Sequence, residues 1–319
     1  MSLLTPAEDF VQREVFDAAS ADPLAGLSEN SMQIVSYSLT ELLTLEPFAV
    51  ETSARIDEDI ALIVERGSHS YEVVRVDPVA REVVARYPLS WGAWDPAEVV
   101  PGVVVWLTLF EGDRESLIIM EHGALPKQAL RLDWETGHFD RAVLPDLEGD
   151  ALSLGGVVAG DRAWISDPES YGAILKWHLQ TGELTPIDLG DDELATFTVW
   201  GTPDALISYA RRGEVTGLLT ITPEDGPVFT AYNNLEGVFT SWVEWLPDGR
   251  MIGFSNLEWT GLPGDLWQVY DPQTGEATIV FDGCETEGPY GRKIALPSGI
   301  WVIDVSDYED YQLTRILLD

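Results

Sequence analysis

One short turn recurs along this chain, and its spacing limits the possible folds more than any other feature. It reads DPVAR at 77–81, DWETG at 133–137, HLQTG at 178–182, TPEDG at 222–226 and DPQTG at 271–275, and the terminal LLD at 317–319 reaches the same point of a truncated copy. Between the fifth residues, Arg81, Gly137, Gly182, Gly226 and Gly275, the steps are 56, 45, 44 and 49 residues. A repeat of that length denotes a stacked or radial array of one supersecondary unit. The long first step is assigned to EGDRESLIIMEHGALPKQ, residues 111–128, read as an enlarged loop between two strands of one unit.

Each unit reads as four strands. Alternating runs end at the anchor turn in YEVVRV (71–76), AILKWHL (173–179), GLLTIT (217–222), LWQVYD (266–271) and YQLTRIL (311–317). Another apolar run precedes each: IALIVE at 60, VVVWLTLF at 103, RAWISD at 162, ALISYA at 205, RMIGFS at 250 and GIWVID at 299. Short runs rich in Val, Ile, Tyr and Trp and bounded by Gly and Pro favour strand over helix. Six units follow, with the last one strand short. TELLTLEPFAV (40–50) aligns with REVVARYPLSW (81–91), the fourth strand of unit one, so the N-terminal segment is expected to complete the last unit. Closing a ring this way removes exposed sheet edges. The expected fold is all-β: a six-bladed β-propeller of four-stranded blades over residues 32–319. Residues 1–31 form a separate extension. There TPAE at 5–8 is a capping box, with Thr5 as N-cap and Pro6 opening a helix over about 6–19.

Two stretches carry a family resemblance. WLPDGRMIGFS (245–255) followed by GDLWQVYDPQTGEATIV (264–280) resembles the WD40-like repeat of TolB-type six-bladed propellers, and ALPSGIWVIDV (295–305) and VWGTPDALISYA (199–210) are degenerate copies. The resemblance implies fold and blade boundaries across about residues 40–319. It implies little about activity, because that superfamily joins partner-binding proteins, peptidase-associated propellers and lyases.

Charge narrows the partners. Against 55 acidic residues stand 18 basic ones, three of them lysines (Lys127, Lys176 and Lys293), for a net charge of -37. Such a surface repels phosphate backbones and anionic membranes, so nucleic acid is excluded as the expected partner and cations or cationic partners fit better. No run approaches the roughly 18 apolar residues of a membrane span, and MSLLTPAEDFVQREVF lacks a secretory pattern. The chain as given reads as cytoplasmic and monomeric, the alternative being export with a signal segment already removed. Cys284, the one cysteine, excludes an internal disulfide and a Cys-rich zinc site.

No Gly-x-Ser-x-Gly elbow, Walker loop, dinucleotide fingerprint, His-Glu-x-x-His motif or EF-hand loop is present. After six blades no residues remain for a hydrolase domain. Of the four histidines, His69 and His122 fall in loops between second and third strands, on the face that holds ligands in propellers. His138 and His178 fall by the opposite turns, which leaves at most two for one site. No cofactor is required; a divalent cation, Ca2+ or else Mg2+, is the candidate, held by carboxylates and amides in the acidic loops 146–150, 188–193, 233–237 and 284–288, with Asn233, Asn234, Glu244 and Glu285 as possible ligands. Aromatic residues supply a different site: Trp91, Trp94, Trp242, Trp259 and Tyr290 fall at first-strand starts or in the long loop of unit five, with Glu287 and Arg292 beside them. Such rings stack on sugars or hold apolar side chains, although packing between blades accounts for most of the twelve tryptophans.

Two functions therefore stand side by side. The leading one is a noncatalytic propeller that binds a protein, small molecule or carbohydrate through its top face and central channel. The alternative is a metal-dependent hydrolase or lyase acting on a sugar or lactone within that channel. Convergence of three or more of Glu51, Asp95, Asn233, Asn234, Glu244, Glu287, Arg292, His69 and His122 at one mouth is the feature that separates them.

Overall fold

The computed structural model describes residues 33–43, 49–66, 70–89, 105–112, 115–122, 128–143, 155–166, 173–189, 194–201, 205–212, 215–222, 226–231, 242–246, 250–256, 265–271, 276–282, 292–304 and 311–317. Among them the chain opens with strand β1 (Gln33–Ser38) and helix α1 (Leu39–Leu43). Sheet one follows as β2 (Ala49–Ile56), β3 (Asp59–Glu65), β4 (Tyr71–Asp77) and β5 (Glu82–Pro88). Sheet two is β6 (Val105–Leu109), β7 (Glu115–His122), β8 (Gln128–Asp133) and β9 (His138–Val143). Sheet three is β10 (Gly155–Ala159), β11 (Arg162–Ser166), β12 (Ala173–His178) and β13 (Glu183–Asp188). Sheet four is β14 (Leu194–Gly201), β15 (Leu206–Arg212), β16 (Val215–Thr222) and β17 (Gly226–Ala231). Sheet five is β18 (Trp242–Trp245), β19 (Met251–Asn256), β20 (Asp265–Asp271) and β21 (Glu276–Asp282). β22 (Arg292–Leu296), β23 (Gly299–Asp304) and β24 (Gln312–Leu317) make the sixth, with β1 paired antiparallel to β24 as its fourth strand.

All six are antiparallel; in sheets one to five the anchor turn lies between third strand and fourth, and sheet six takes its fourth strand, β1, from the N-terminal part of the chain. The chemistry of the anchor turn explains its recurrence. The Asp77 carboxylate accepts the N–H groups of Val79 and Ala80, each at 2.8 Å, and Asp133 accepts those of Glu135 (2.8 Å) and Thr136 (3.3 Å). The side chain thereby satisfies turn donors that no strand partner reaches. The fifth residue is left-handed in each described copy: Gly137 at φ 69°, Gly182 at 73°, Gly226 at 67°, and Arg81 at 59° where the glycine is missing. Glycine adopts that conformation without steric cost, which is why it recurs.

Two expectations need correction. The closing strand is 33–38, not 40–50. The start of the latter segment belongs to α1, where Leu39 and Leu43 lie one helical turn apart and are fully buried, and the Ser38 hydroxyl caps the helix by accepting the Glu41 N–H at 3.1 Å. Ser-Leu-Thr-Glu is a capping box, and helical spacing of the leucines prevails over the apolar run. Residues 111–128 are likewise no loop, because ESLIIMEH forms β7, the second strand of sheet two, and VVVWLTLF contains its first strand. The extra length of the second unit falls instead between β5 and β6. The N-terminal helix expected over 6–19 lies outside the described residues.

The core sits between sheets. Ala54, Ile56, Ile63 and Val73 of sheet one pack with Leu107, Ile118, Leu130 and Trp134 of sheet two. Sheets two and three share Leu117, Ile119, Ala163, Ile165 and Trp177. Sheets three and four share Trp164, Ile174, Leu194, Leu206 and Leu219, and sheets five and six share Ile252, Trp267, Ile300 and Val302. Ile60, Leu62 and Val74 of sheet one also pack with Ile294, Trp301 and Leu313 of sheet six, under Leu39 and Leu43 of α1. At roughly 1.5–3 kcal/mol for each large apolar side chain fully buried, these interfaces hold the sheets together. First strands lie against one another: β2 with β6, β10 with β14, β14 with β18, β18 with β22, and β22 with β2. No helix among the described residues is long and apolar enough to cross a membrane.

Candidate functional site

Each sheet has two ends, and the parallel bridges Ile56↔Gly112 and Glu111↔Val157 bring the same end of sheets one, two and three together. At one, the loop side, first strands begin and the connections between sheets lie. At the other, the turn side, first strands end and the anchor turns lie.

On the loop side, sheet one brings two carboxyl groups and a phenol together. β2 carries a bulge between Val50 and Thr52, so that Glu51 is the extra residue in its pairing with β3. Bulges re-aim a side chain, and this one places Glu51 in hydrogen-bonding reach of Glu65, the last residue of β3. Glu65 in turn sits opposite Tyr71, the first residue of β4. Burial, then the charge of Glu65 and the hydrogen bond with it, pushes the Glu51 carboxyl above its ordinary range. A second carboxylate this close disfavours the ionised form of Glu51. Tyr71 is 6% exposed, and burial, reinforced by Glu65 and Glu51, holds its phenol well above the usual value. The group can donate a hydrogen bond from a protonated carboxyl and accept one from a ligand N–H or O–H.

The turn side is built differently. Arg55, next to the end of β2, is 9% exposed. Its Nη2 donates to Glu111 Oε2 at 2.8 Å and its Nη1 to the Trp245 carbonyl at 3.4 Å, joining sheets one, two and five. Backbone bonds add to this: Gly112 N–H to the Arg55 carbonyl (3.1 Å), Asp57 N–H to the Gly112 carbonyl (2.9 Å) and Val158 N–H to the Glu111 carbonyl (2.7 Å).

Few of the site residues expected from sequence can be placed. Trp242 and Arg292 are the first residues of β18 and β22, and Glu244 lies within β18. These strands adjoin each other, and β22 adjoins β2, so the three positions lie with Glu51 on neighbouring first strands. Trp91, Trp94, Trp259, Tyr290, Glu287, Asn233, Asn234 and Glu285 lie outside the described residues, as do Asp95 and His69. His122 ends β7 on the loop side, whereas His138 and His178 flank anchor turns on the other side, paired with Asp140 at 3.1 Å and Asp161 at 3.3 Å. Among the described residues no three His, Cys, Asp or Glu side chains group to hold a metal ion. Sequence reasoning missed Glu65, Tyr71, Arg55 and Glu111. For Arg55 a signal existed, a guanidinium inside the strand SARI of a chain with few cations. For the Glu51–Glu65 contact none did, because it depends on the bulge.

No known family and no curated protein matches this sequence. A protein of unknown function from Bacteroides caccae, known from a crystal structure, is 8% identical, with a TM-score of 0.45 over 73% of this chain and 81% of its own. A likeness that low carries no argument about function.

Proposed function

We propose that this protein is a closed six-bladed propeller of the TolB-like type that acts as a noncatalytic binding module, receiving a protein, small-molecule or carbohydrate ligand at its loop side and central channel. Closure is supported by the contact of β22 with β2 and by the way the seam between sheets six and one is bridged. Tyr37 Oη donates to the Pro78 carbonyl at 3.0 Å there, and at the next seam Tyr87 Oη donates to the Trp134 carbonyl at 3.0 Å. Pro78 and Trp134 both follow the anchor Asp, so the last seam repeats an interior one. The observation that carries the binding reading is the polar group at the loop side of sheet one. Side-chain and backbone bonds tie the turn side together, while the loop side holds the hydrogen-bonding group Glu51, Glu65 and Tyr71 beside the strands that begin at Trp242 and Arg292. The test is a pair of variants, Trp91→Ala and Trp242→Ala, screened against carbohydrate and peptide arrays with melts run in parallel. Rim residues lose ligand with a stability change within about 0.5 kcal/mol. Losses of roughly 3–5 kcal/mol in both would make them core residues and retire the aromatic rim.

A specific observation also favours catalysis: the carboxyl pair at the loop side is suited to acid–base work on a sugar or lactone. Glu51→Gln separates the readings. An enzyme loses about a hundredfold or more in turnover while still binding, and a binding module has no turnover to lose.

A further inference from the structure

We propose that Arg55 is a latch across the ring that shuts the turn side of the channel, leaving a cup with a single opening at the loop side. The proposal rests on the closed-ring reading above. A ligand then enters and leaves by the same mouth, and a partner segment cannot thread through. Arg55, Glu111 and Trp245 stand within two residues of the ends of three first strands, in sheets one, two and five, and sheets one and five are not neighbours in chain order. One planar guanidinium serves both acceptors, which the single ammonium of a lysine cannot do with the same geometry. A cation this buried requires a counter-charge, and Glu111 supplies it at 2.8 Å. The backbones beneath are already at closest approach. Ile56 bridges Gly112 in parallel, Glu111 bridges Val157, and a Cβ on Gly112 would run into the Glu115 carbonyl oxygen. Those bonds zip sheets one, two and three, and Arg55 carries the closure across to sheet five.

Amide hydrogen exchange on the full-length chain tests this, comparing wild type with Arg55→Met, Arg55→Lys and Glu111→Gln. The Leu246 N–H, bonded to the Arg250 carbonyl at 2.8 Å, reports on sheet five, and Asp57, Gly112 and Val158 report on sheets one to three. The latch predicts exchange about tenfold faster at all four amides in Arg55→Met, a smaller acceleration in Glu111→Gln, and change within about twofold in β13. Acceleration at Asp57 and Gly112 with Leu246 unchanged overturns the latch while leaving the ring intact. Uniform acceleration with a lowered melt, or none anywhere, overturns it too. If Arg55→Met does not fold, Arg55→Lys carries the same comparison. Failure of the ring itself reads out separately, as an unchanged melt after removal of β1 and α1.

Discussion

Arg81 does in one turn what glycine does in the others, and its surroundings show why. Its guanidinium lies 5.0 Å from the Tyr37 ring centre, across the seam between sheets six and one, so a cation–π contact offsets the left-handed backbone. At the next seam the Tyr87 ring occupies the space a Cβ on Gly137 would need, whereas Gly182 faces nothing within 4 Å. Gly182→Ala should therefore cost about 1–2 kcal/mol, the backbone penalty alone. Gly137→Ala should cost about 1–3 kcal/mol more, because the ring must move as well. Denaturant melts of the two variants check this, and equal losses would remove Tyr87 from the account. Glu51 gives a prediction in pH. Its carboxyl is raised in the folded state, so the stability it contributes is fully present below about pH 4.5, its ordinary value, and is lost as pH rises through the raised one. Glu51→Gln should thus melt higher than wild type at pH 7, with the gain shrinking toward pH 4. Glu51 keeps much of its contact with solvent although its carboxyl is partly buried, which makes the gain small. A gain that is the same at both pH values contradicts the raised Glu51 carboxyl.

Strand β1 is the element on which the proposed closure depends. Its six residues pair with β24 from Gln33↔Leu317 to Ser38↔Gln312, and Ser36 and Thr314 hydroxyls meet at 2.8 Å. Behind it α1 is pinned by the Leu39 N–H to the Tyr311 carbonyl (2.8 Å), the Tyr311 N–H to Thr40 Oγ1 (3.1 Å) and Arg86 Nη2 to the Leu43 carbonyl (2.9 Å). Removal of residues 1–43 exposes the β24 edge and uncovers the apolar interface under α1. The expected result is aggregation or loss of a cooperative melt. A truncation of 1–31 leaves β1 whole and is the control. A monomeric, cooperatively melting product of the longer truncation would sink the closed ring.

At the scale of the whole molecule, several cations among the described residues are engaged by carboxylates or aromatic rings. Arg55, Arg75 and Arg131 pair with Glu111, Asp59 and Glu115, while Arg81, Lys176 and Arg315 lie over Tyr37, Trp164 and Trp301. For Asp59 burial outweighs Arg75 and still raises the carboxyl, so even an ion pair at 2.5 Å does not fully offset desolvation. With a net charge of -37, most of the negative charge has no such partner. Self-repulsion then opposes folding, and salt should relieve it. The melting temperature should rise as sodium chloride increases from about 0.01 M to 1 M, over which the Debye length falls from about 30 Å to 3 Å. Duplex DNA should not bind at about physiological salt, and micromolar affinity there would contradict the electrostatic argument.

What the sequence by itself determined was local and periodic. The anchor turns were legible because an Asx hydrogen bond and a left-handed fifth residue need particular side chains at fixed offsets, and the strands because alternation marks a half-buried sheet. The requirement for an N-terminal strand was legible too, since the last unit came up one short. Which residues supply that strand was decided by tertiary packing: QIVSYS and TELLTLEPFAV both carry apolar residues, and the interface that receives Leu39 and Leu43 selects helix for 39–43, where the second begins. The Arg55 bridge and the Glu51–Glu65 pair were also beyond the sequence. The first joins residues 190 apart, the second turns on one bulged residue, and neither a long-range approach nor a one-residue slip in register leaves a mark in local composition.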